Sequence, residues 1–284
     1  MVSLHFWKPF RVEFFLSMTY TFAVVSTKFK QLIDHKININ MNHNLNLQTK
    51  VYIVGAGPGD RSLLTLKAFR LVKKADVMIY DYLIPQDIIT LAKKGCILVS
   101  HKHGSTSSER IEAFKKTVLE YYNKKSTIIR LHTGDPMLFG MGNEEVNFLR
   151  EHGITFEVVP GITSALGVPS SVGLPITSRG ISSSVVIFNG HPINQNEINW
   201  NLLAKMDGTL IVLMGVSGAG QISDNLINAG LDSQTPVCII SNGTLKTQKV
   251  AIGTLNELKA LIDSNCIQAP AVIIIGRVVK FLNA

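Results

Sequence analysis

Residues 51–70 read VYIVGAGPGDRSLLTLKAFR. Val51–Val54 is an unbroken apolar run that meets a glycine-rich turn, Gly55-Ala56-Gly57-Pro58-Gly59-Asp60. Behind the turn, Leu63, Leu66 and Leu71 recur at helical spacing, and Asp60 or Ser62 stands where a helix cap belongs. Strand, tight glycine turn and amphipathic helix, in that order, are the first half of a βαβ unit. The turn invites comparison with a dinucleotide fingerprint. Its spacing, however, is G-x-G-x-G, and Pro58 removes an N–H that a pyrophosphate would use. The glycines equally suit a close backbone approach to a ligand without phosphates.

Outward from this stretch the same rhythm continues. Strands are expected at Asp76–Tyr80, Cys96–Ser100, Thr127–Leu131 and Ile154–Val159. Asp81 just past the second strand, and His132-Thr133-Gly134-Asp135-Pro136 past the fourth, sit where open α/β sheets hold ligands. Thr106 and Glu109 make a capping box for a helix that turns Ile111, Phe114, Val118 and Tyr122 inward. Gly153 stops the helix Glu144–His152. Prolines 160, 169 and 175 then break the rhythm, which places a domain junction there. Alternation resumes with strands at Ser184–Asn189, Thr209–Met214, Pro236–Ser241, Gln248–Ile252 and Ala271–Ile275, and a helix at Leu255–Ile262. The expected fold is α/β, with two α/β domains of mostly parallel or mixed sheets around a central cleft. The domains are residues 50–168 and 169–284, and residues 1–49 are an extension outside them.

That extension differs in character. Phe14–Val25 is apolar but too short to span a bilayer, which takes about 20 residues. The asparagine-rich run Ile37–Leu47 has no packing periodicity. Either translation begins in fact at Met41, or the segment serves targeting or a membrane surface. The whole chain has 284 residues, 46% apolar and 17% charged, as in a globular protein with a substantial core. Of its net charge of +8, residues 1–49 carry +3 and the remainder +5, which suits an anionic small substrate and is too mild to imply nucleic acid. Cys96, Cys238 and Cys266 form no pair and read as reduced, mostly buried thiols of a cytoplasmic protein.

Several segments together resemble the tetrapyrrole methylase family: GAGPGD (Gly55–Asp60), YDYLI (Tyr80–Ile84), TGDP (Thr133–Pro136), VVPGITSA (Val158–Ala165), LPITSR (Leu174–Arg179) and NGH (Asn189–His191). Met214-Gly215 and PAVIIIG (Pro270–Gly276) continue the pattern. The resemblance implies two α/β domains, usually dimeric, with S-adenosylmethionine held in the cleft as methyl donor and no metal. A donor without phosphates removes the difficulty at Pro58. By resemblance, Pro58, Thr133, Gly134, Asp135, Leu138, Thr163, Ser164, Met214, Gly243, Pro270 and Ala271 line the donor site, with Gly243 standing where the family often has alanine. Small residues and backbone amides suit a flat adenine, and hydroxyls suit a ribose.

On the acceptor side Asp81 matches the family's proton acceptor, and it reads either as base or as an anchor for pyrrole N–H groups. His101 takes the place of the family's proton-donating lysine, a role histidine can fill near neutral pH. Lys102, Arg179 and His191 are the expected substrate-binding residues, with Arg179 facing a carboxylate bidentately. Two departures stand out. Tyr82 and Met141 occupy positions where arginines meet the carboxylates of uroporphyrinogen. YDYLI, the stretch from GITSA to LPITSR, and NGH resemble the branch that methylates uroporphyrinogen III at two carbons, whereas HTGDP is closer to the precorrin-4 branch. A non-catalytic donor-binding protein is the reading from another class.

Overall fold

In the computed structural model, residues 50–101, 106–122, 124, 127–191 and 197–283 are described. They belong to one compact unit, Thr49–Ala284. The expected extension and its apolar stretch lie outside the described residues, as does Lys102.

The first five strands are β1 (Val51–Gly55), β2 (Val77–Asp81), β3 (Ile97–His101), β4 (Ile128–His132) and β5 (Phe156–Val159). They form one sheet in the order β3-β2-β4-β1-β5, and every pairing is parallel. Such a sheet is covered on both faces, which is why its strands read as continuous apolar runs. Helices α1 (Leu66–Lys74), α2 (Gln86–Ile89), α3 (Ser107–Tyr122) and α4 (Gly142–Glu151) connect them. Phe114 and Val118 of α3, with Val146 and Leu149 of α4, are buried against Val51, Ile53, Val77, Ile79 and Ile128. Thr106 and Glu109 close the expected capping box, with bonds of 2.7 and 3.2 Å. Gly153, at φ 61°, ends α4 as expected: its N–H reaches the Arg150 carbonyl, and that of Ile154 reaches Leu149.

The cap after the glycine turn falls differently from the expectation. Asp60 caps only a single 3₁₀ turn, Arg61–Leu63, and the helix starts later under Thr65, whose hydroxyl accepts from the Ala68 N–H. The strands β6 (Val185–Asn189), β7 (Thr209–Leu213), β8 (Pro236–Ser241), β9 (Lys249–Thr254) and β10 (Ala271–Ile275) make a second sheet, ordered β6-β7-β10-β8-β9. Only β6 and β7 are parallel; β10 runs against both of its neighbours. One face packs on α6 (Trp200–Lys205), α7 (Ala219–Asn228) and α8 (Leu258–Ser264) through Leu203, Ile222, Leu226, Leu258 and Ile262. The helix expected at Leu255–Ile262 is therefore a 3₁₀ turn, Leu255–Glu257, followed by α8. The other face takes Ala165 and Val168 of α5 (Ser164–Ser171), with Leu174, Val278 and Val279. The expected division between residues 168 and 169 falls inside α5. Of the three cysteines only Cys238 is buried; Cys266 is exposed, against the expectation that they are mostly buried.

Candidate active site

All five strands of the first sheet deliver their carboxyl ends to one edge, because all are parallel. Across that edge stand, in spatial order, His101, Asp81, His132-Thr133, the glycine turn and the Pro160–Thr163 loop. In the ladder His101 is opposite Asp81, and His132 is opposite Gly55.

The donor half is a knot of backbone. Gly57 and Gly134 exchange hydrogen bonds of 3.2 and 2.8 Å, N–H to carbonyl in both directions. A Cβ on Gly161 would lie 2.1 Å from the Gly134 carbonyl oxygen, and one on Gly55 would lie 2.5 Å from the Gly161 nitrogen. Only glycine allows three loops to meet this closely. Asp135 completes the knot, for its carboxylate accepts from the Met137 N–H at 2.9 Å and the Gly161 N–H at 3.0 Å. Its oxygens thus hold loops together. Pro58 lies over α5 beside Gly167. Thr163 caps α5 with a 3.3 Å bond from Ala165, and Ser164 is the first helical residue. Leu138 packs onto the core of the second sheet. Thr133 differs from all of these, because its Oγ1 is buried with no hydrogen-bond partner. A buried hydroxyl left unpaired by the protein is poised for a polar ligand atom.

The second sheet presents its own edge. Because β10 is antiparallel to β7 and β8, its start meets their ends: Val272 pairs with Leu213, and Ala271 with Ser241. Met214, Gly243, Pro270 and Ala271 therefore converge, and the Asn242 N–H bonds the Pro270 carbonyl at 2.9 Å. His191 follows β6 at the same edge, exposed, its N–H bonded to Asn189 Oδ1. Met214 has φ 55°, a left-handed conformation that costs a bulky side chain energy, and it is 44% exposed. The two edges touch where the Asp60 N–H donates to Thr244 Oγ1 at 3.0 Å. Arg179 is exposed in the tight turn between Ser178 and Ser182.

The acceptor half is a buried ion cluster. Arg130, 1% exposed, donates from Nη2 to Asp81 Oδ1 at 2.6 Å and from Nε to Glu145 Oε1 at 2.7 Å. Its Nη1 donates to the Leu131 carbonyl. His132 Nε2 is 2.7 Å from Glu145 Oε2, and its Nδ1 is 3.8 Å from Asp81 Oδ2. His101 Nδ1 lies 3.7 Å from Asp81 Oδ1, too far for a hydrogen bond, and neither of its buried ring nitrogens has a partner. Burial alone would raise the Asp81 carboxyl, but the His101 ring, the Arg130 guanidinium and His132 together hold it well below the usual carboxylate range. Burial would likewise raise Glu145, and His132 and Arg130 lower it instead. Glu145 also sits in the first turn of α4, where the helix dipole favours an anion.

Arg130 and Glu145 were not among the expected site residues. The signal was an arginine inside IIRLH, since a charge in a strand buried on both faces must have partners. Those partners come from β2 and α4, which no spacing in the sequence connects. Among the described residues, no group of His, Cys, Asp or Glu is arranged to hold a metal ion, and no helix is long and apolar enough to cross a membrane.

Residues 50–259 match the family model of the tetrapyrrole (corrin/porphyrin) methylases. The chain belongs to this family. A cobalt precorrin-4 methyltransferase of cobalamin biosynthesis superposes with a TM-score of 0.74 at 28% identity, over 81% of this chain and 96% of that one. The uroporphyrin-III C-methyltransferase of Thermus thermophilus, solved with S-adenosylhomocysteine, gives 0.69 at 34% identity, over 82% and 94%. Among curated relatives, the siroheme synthase of Blochmanniella pennsylvanica is 38% identical over 252 residues, 88% of this chain and 53% of that protein. That of Baumannia cicadellinicola is 42% identical over 236 residues, 81% and 50%. This methylase thus spans about half the length of the curated relatives it matches.

Proposed function

We propose that the chain transfers methyl groups from S-adenosylmethionine to two ring carbons of uroporphyrinogen III, giving precorrin-2 on the way to sirohaem or cobalamin. The observation that carries the reading is the shared edge. A glycine-lined cradle with an unpaired buried hydroxyl at Thr133 stands beside a buried carboxylate cluster at Asp81, with the second sheet's Met214–Gly243–Ala271 edge bridged to the cradle. The cradle offers no lysine or free turn amide at Pro58 for a phosphate, and its glycines admit a flat adenine close to backbone. Residues 58, 133–135, 138, 163, 164, 214, 243, 270 and 271 would hold the donor. Thr133 Oγ1 supplies the free hydrogen-bonding group, while Asp135 and Thr163 act by shaping the loops.

The donor, when bound, supplies a sulfonium methyl. An electron-rich pyrrole carbon takes that methyl in line, the C–S bond breaks to leave the thioether, and a ring N–H gives up its proton to bulk solvent. The protein's tasks are alignment and exclusion of water. Asp81 meets the ring N–H groups, His101 lies beside it, and Arg179, Lys102 and His191 meet peripheral carboxylates. The S-adenosylhomocysteine bound by the Thermus thermophilus neighbour supports this donor.

A second reading, methylation of a later corrin precursor, is favoured by Tyr82 and Met141 in place of arginines and by the precorrin-4 neighbour. Purified protein incubated with donor and uroporphyrinogen III, followed by product mass, tests the first reading. A gain of two methyl groups is expected. No product from uroporphyrinogen, with methylation of an already methylated precursor, selects the second. The family resemblance further implies a homodimer, read by sedimentation.

A further inference from the structure

We propose that Arg130 is a positioning residue for the acceptor side, fixing from a fully buried site where the Asp81 carboxylate points. The proposal rests on the methyltransferase reading above. Arg130 has no exposed surface from which to meet a substrate itself, yet its guanidinium joins three elements: Asp81 on β2, the Leu131 carbonyl on β4 and Glu145 on α4. The planar fork allows a 2.6 Å bond in one direction and a 2.7 Å bond in another without bending. Arg130 and His132 are two apart on β4 and so leave the same face of the sheet, the face that α4 covers. Glu145 braces both, being 2.7 Å from each.

Asp81 is the end of this chain that retains solvent access, its side chain 19% exposed against 1% for Arg130 and 0% for Glu145. The groups facing it are His101 from β3 and Arg130 and His132 from β4, with Glu145 behind them from α4. All of the facing side chains are cationic or can become so, and none shares a proton with Asp81 as a second acid would. Asp81 therefore presents a standing anion whose free oxygen edge accepts from N–H groups of the acceptor. It serves as an anchor, and a proton-taking base would need the higher affinity for protons that these neighbours remove.

The test uses the full chain and the acceptor that the wild type methylates. Arg130→Lys keeps the charge and loses the fork. It should leave the Kd for S-adenosylmethionine within about two-fold, yet lower kcat/KM for the acceptor at least ten-fold. In an Asp81→Asn background the same substitution should have almost no further effect, because Arg130 acts through Asp81. Arg130→Gln removes the charge as well, and the acid limb of kcat/KM should move to higher pH, while the limb in Arg130→Lys stays put. If Arg130→Lys fails to fold, Glu145→Gln loosens the same guanidinium with an isosteric group and should give the same split between donor and acceptor. Additive effects of Arg130→Lys and Asp81→Asn, or an unmoved acid limb in Arg130→Gln, would overturn the proposal. A wild type that methylates no tetrapyrrole would overturn the functional reading instead.

Discussion

Asp81 is the side chain on which the acceptor chemistry turns, and its surroundings define what its replacement should do. Asp81→Asn keeps the shape but removes the anion between Arg130 and the two histidines. Turnover should fall strongly while donor affinity stays near wild type, since the loss lies on the acceptor side. Retained turnover would remove Asp81 from the mechanism. Arg179, exposed in its turn, is free to pair with a substrate carboxylate, and losing a charge-assisted bond costs about 1.5–3 kcal/mol. Arg179→Ala should therefore raise the substrate KM by roughly ten- to a hundred-fold. Met141 caps α4 without a side-chain bond, half-buried. Met141→Arg should tighten uroporphyrinogen binding in a titration; no tightening would favour the corrin-precursor reading.

The loops at the strand ends act as one element, and their tolerance for side chains is set by backbone. Gly161→Ala would drive its Cβ to 2.1 Å from the Gly134 carbonyl and 2.7 Å from Gly55 Cα, atoms that cannot rotate away. Overpacking of this kind costs about 1–3 kcal/mol, which lowers Tm by several degrees in a chain of this size. Donor affinity should fall with it. Gly243→Ala is the informative contrast, because its Cβ would meet a side chain, Val168 Cγ1 at 2.3 Å. Paired with Val168→Ala, it should regain much of the stability that it loses alone. Melting curves of the two single variants and the double variant settle the point; strict additivity would mean that the contact is not the cause. Asp135→Ala removes the clamp between Met137 and Gly161 and should weaken both donor binding and stability. An unchanged donor affinity in a folded variant would confine Asp135 to loop structure.

For the molecule as a whole, the buried acids set the response to pH. Asp81 and Glu145 bind protons more weakly folded than unfolded, so each contributes stability that is complete above the unfolded carboxylate range, about pH 4. That stability is lost as pH falls through and below this range. Acid unfolding should be steep below about pH 4, and replacing Glu145 by Gln should flatten it; an unchanged acid limb would show that the cluster is not the cause. Separately, a chain started at Met41 should fold, assemble and methylate like the full chain, because nothing before Val51 has the periodicity of an element that docks on a sheet. Melting temperature, oligomer size and turnover of the two chains compare them, and a shortened chain that is unfolded or inactive would place the segment in the working body.

Order of strands and helices, the glycine turn and the motif set were readable because each depends on neighbours within a few residues. Val51–Val54 before Gly55 is a strand by local pattern, and Thr106 with Glu109 is a cap by local spacing. The parallel first sheet followed from its alternation with helices. The reversal of β10, which carries Pro270 and Ala271 to Met214 and Gly243, did not, since a short apolar strand reads the same in either direction. The role of Asp135 was likewise closed to spacing, because its partner Gly161 arrives from the end of another strand. Arg130 shows the boundary most plainly. Its presence in an apolar strand announced a partner, but Asp81 and Glu145 lie 49 and 15 residues away, and only the folded chain brings them within 2.7 Å. Charges pair through space, and distance along the chain carries no information about which ones meet.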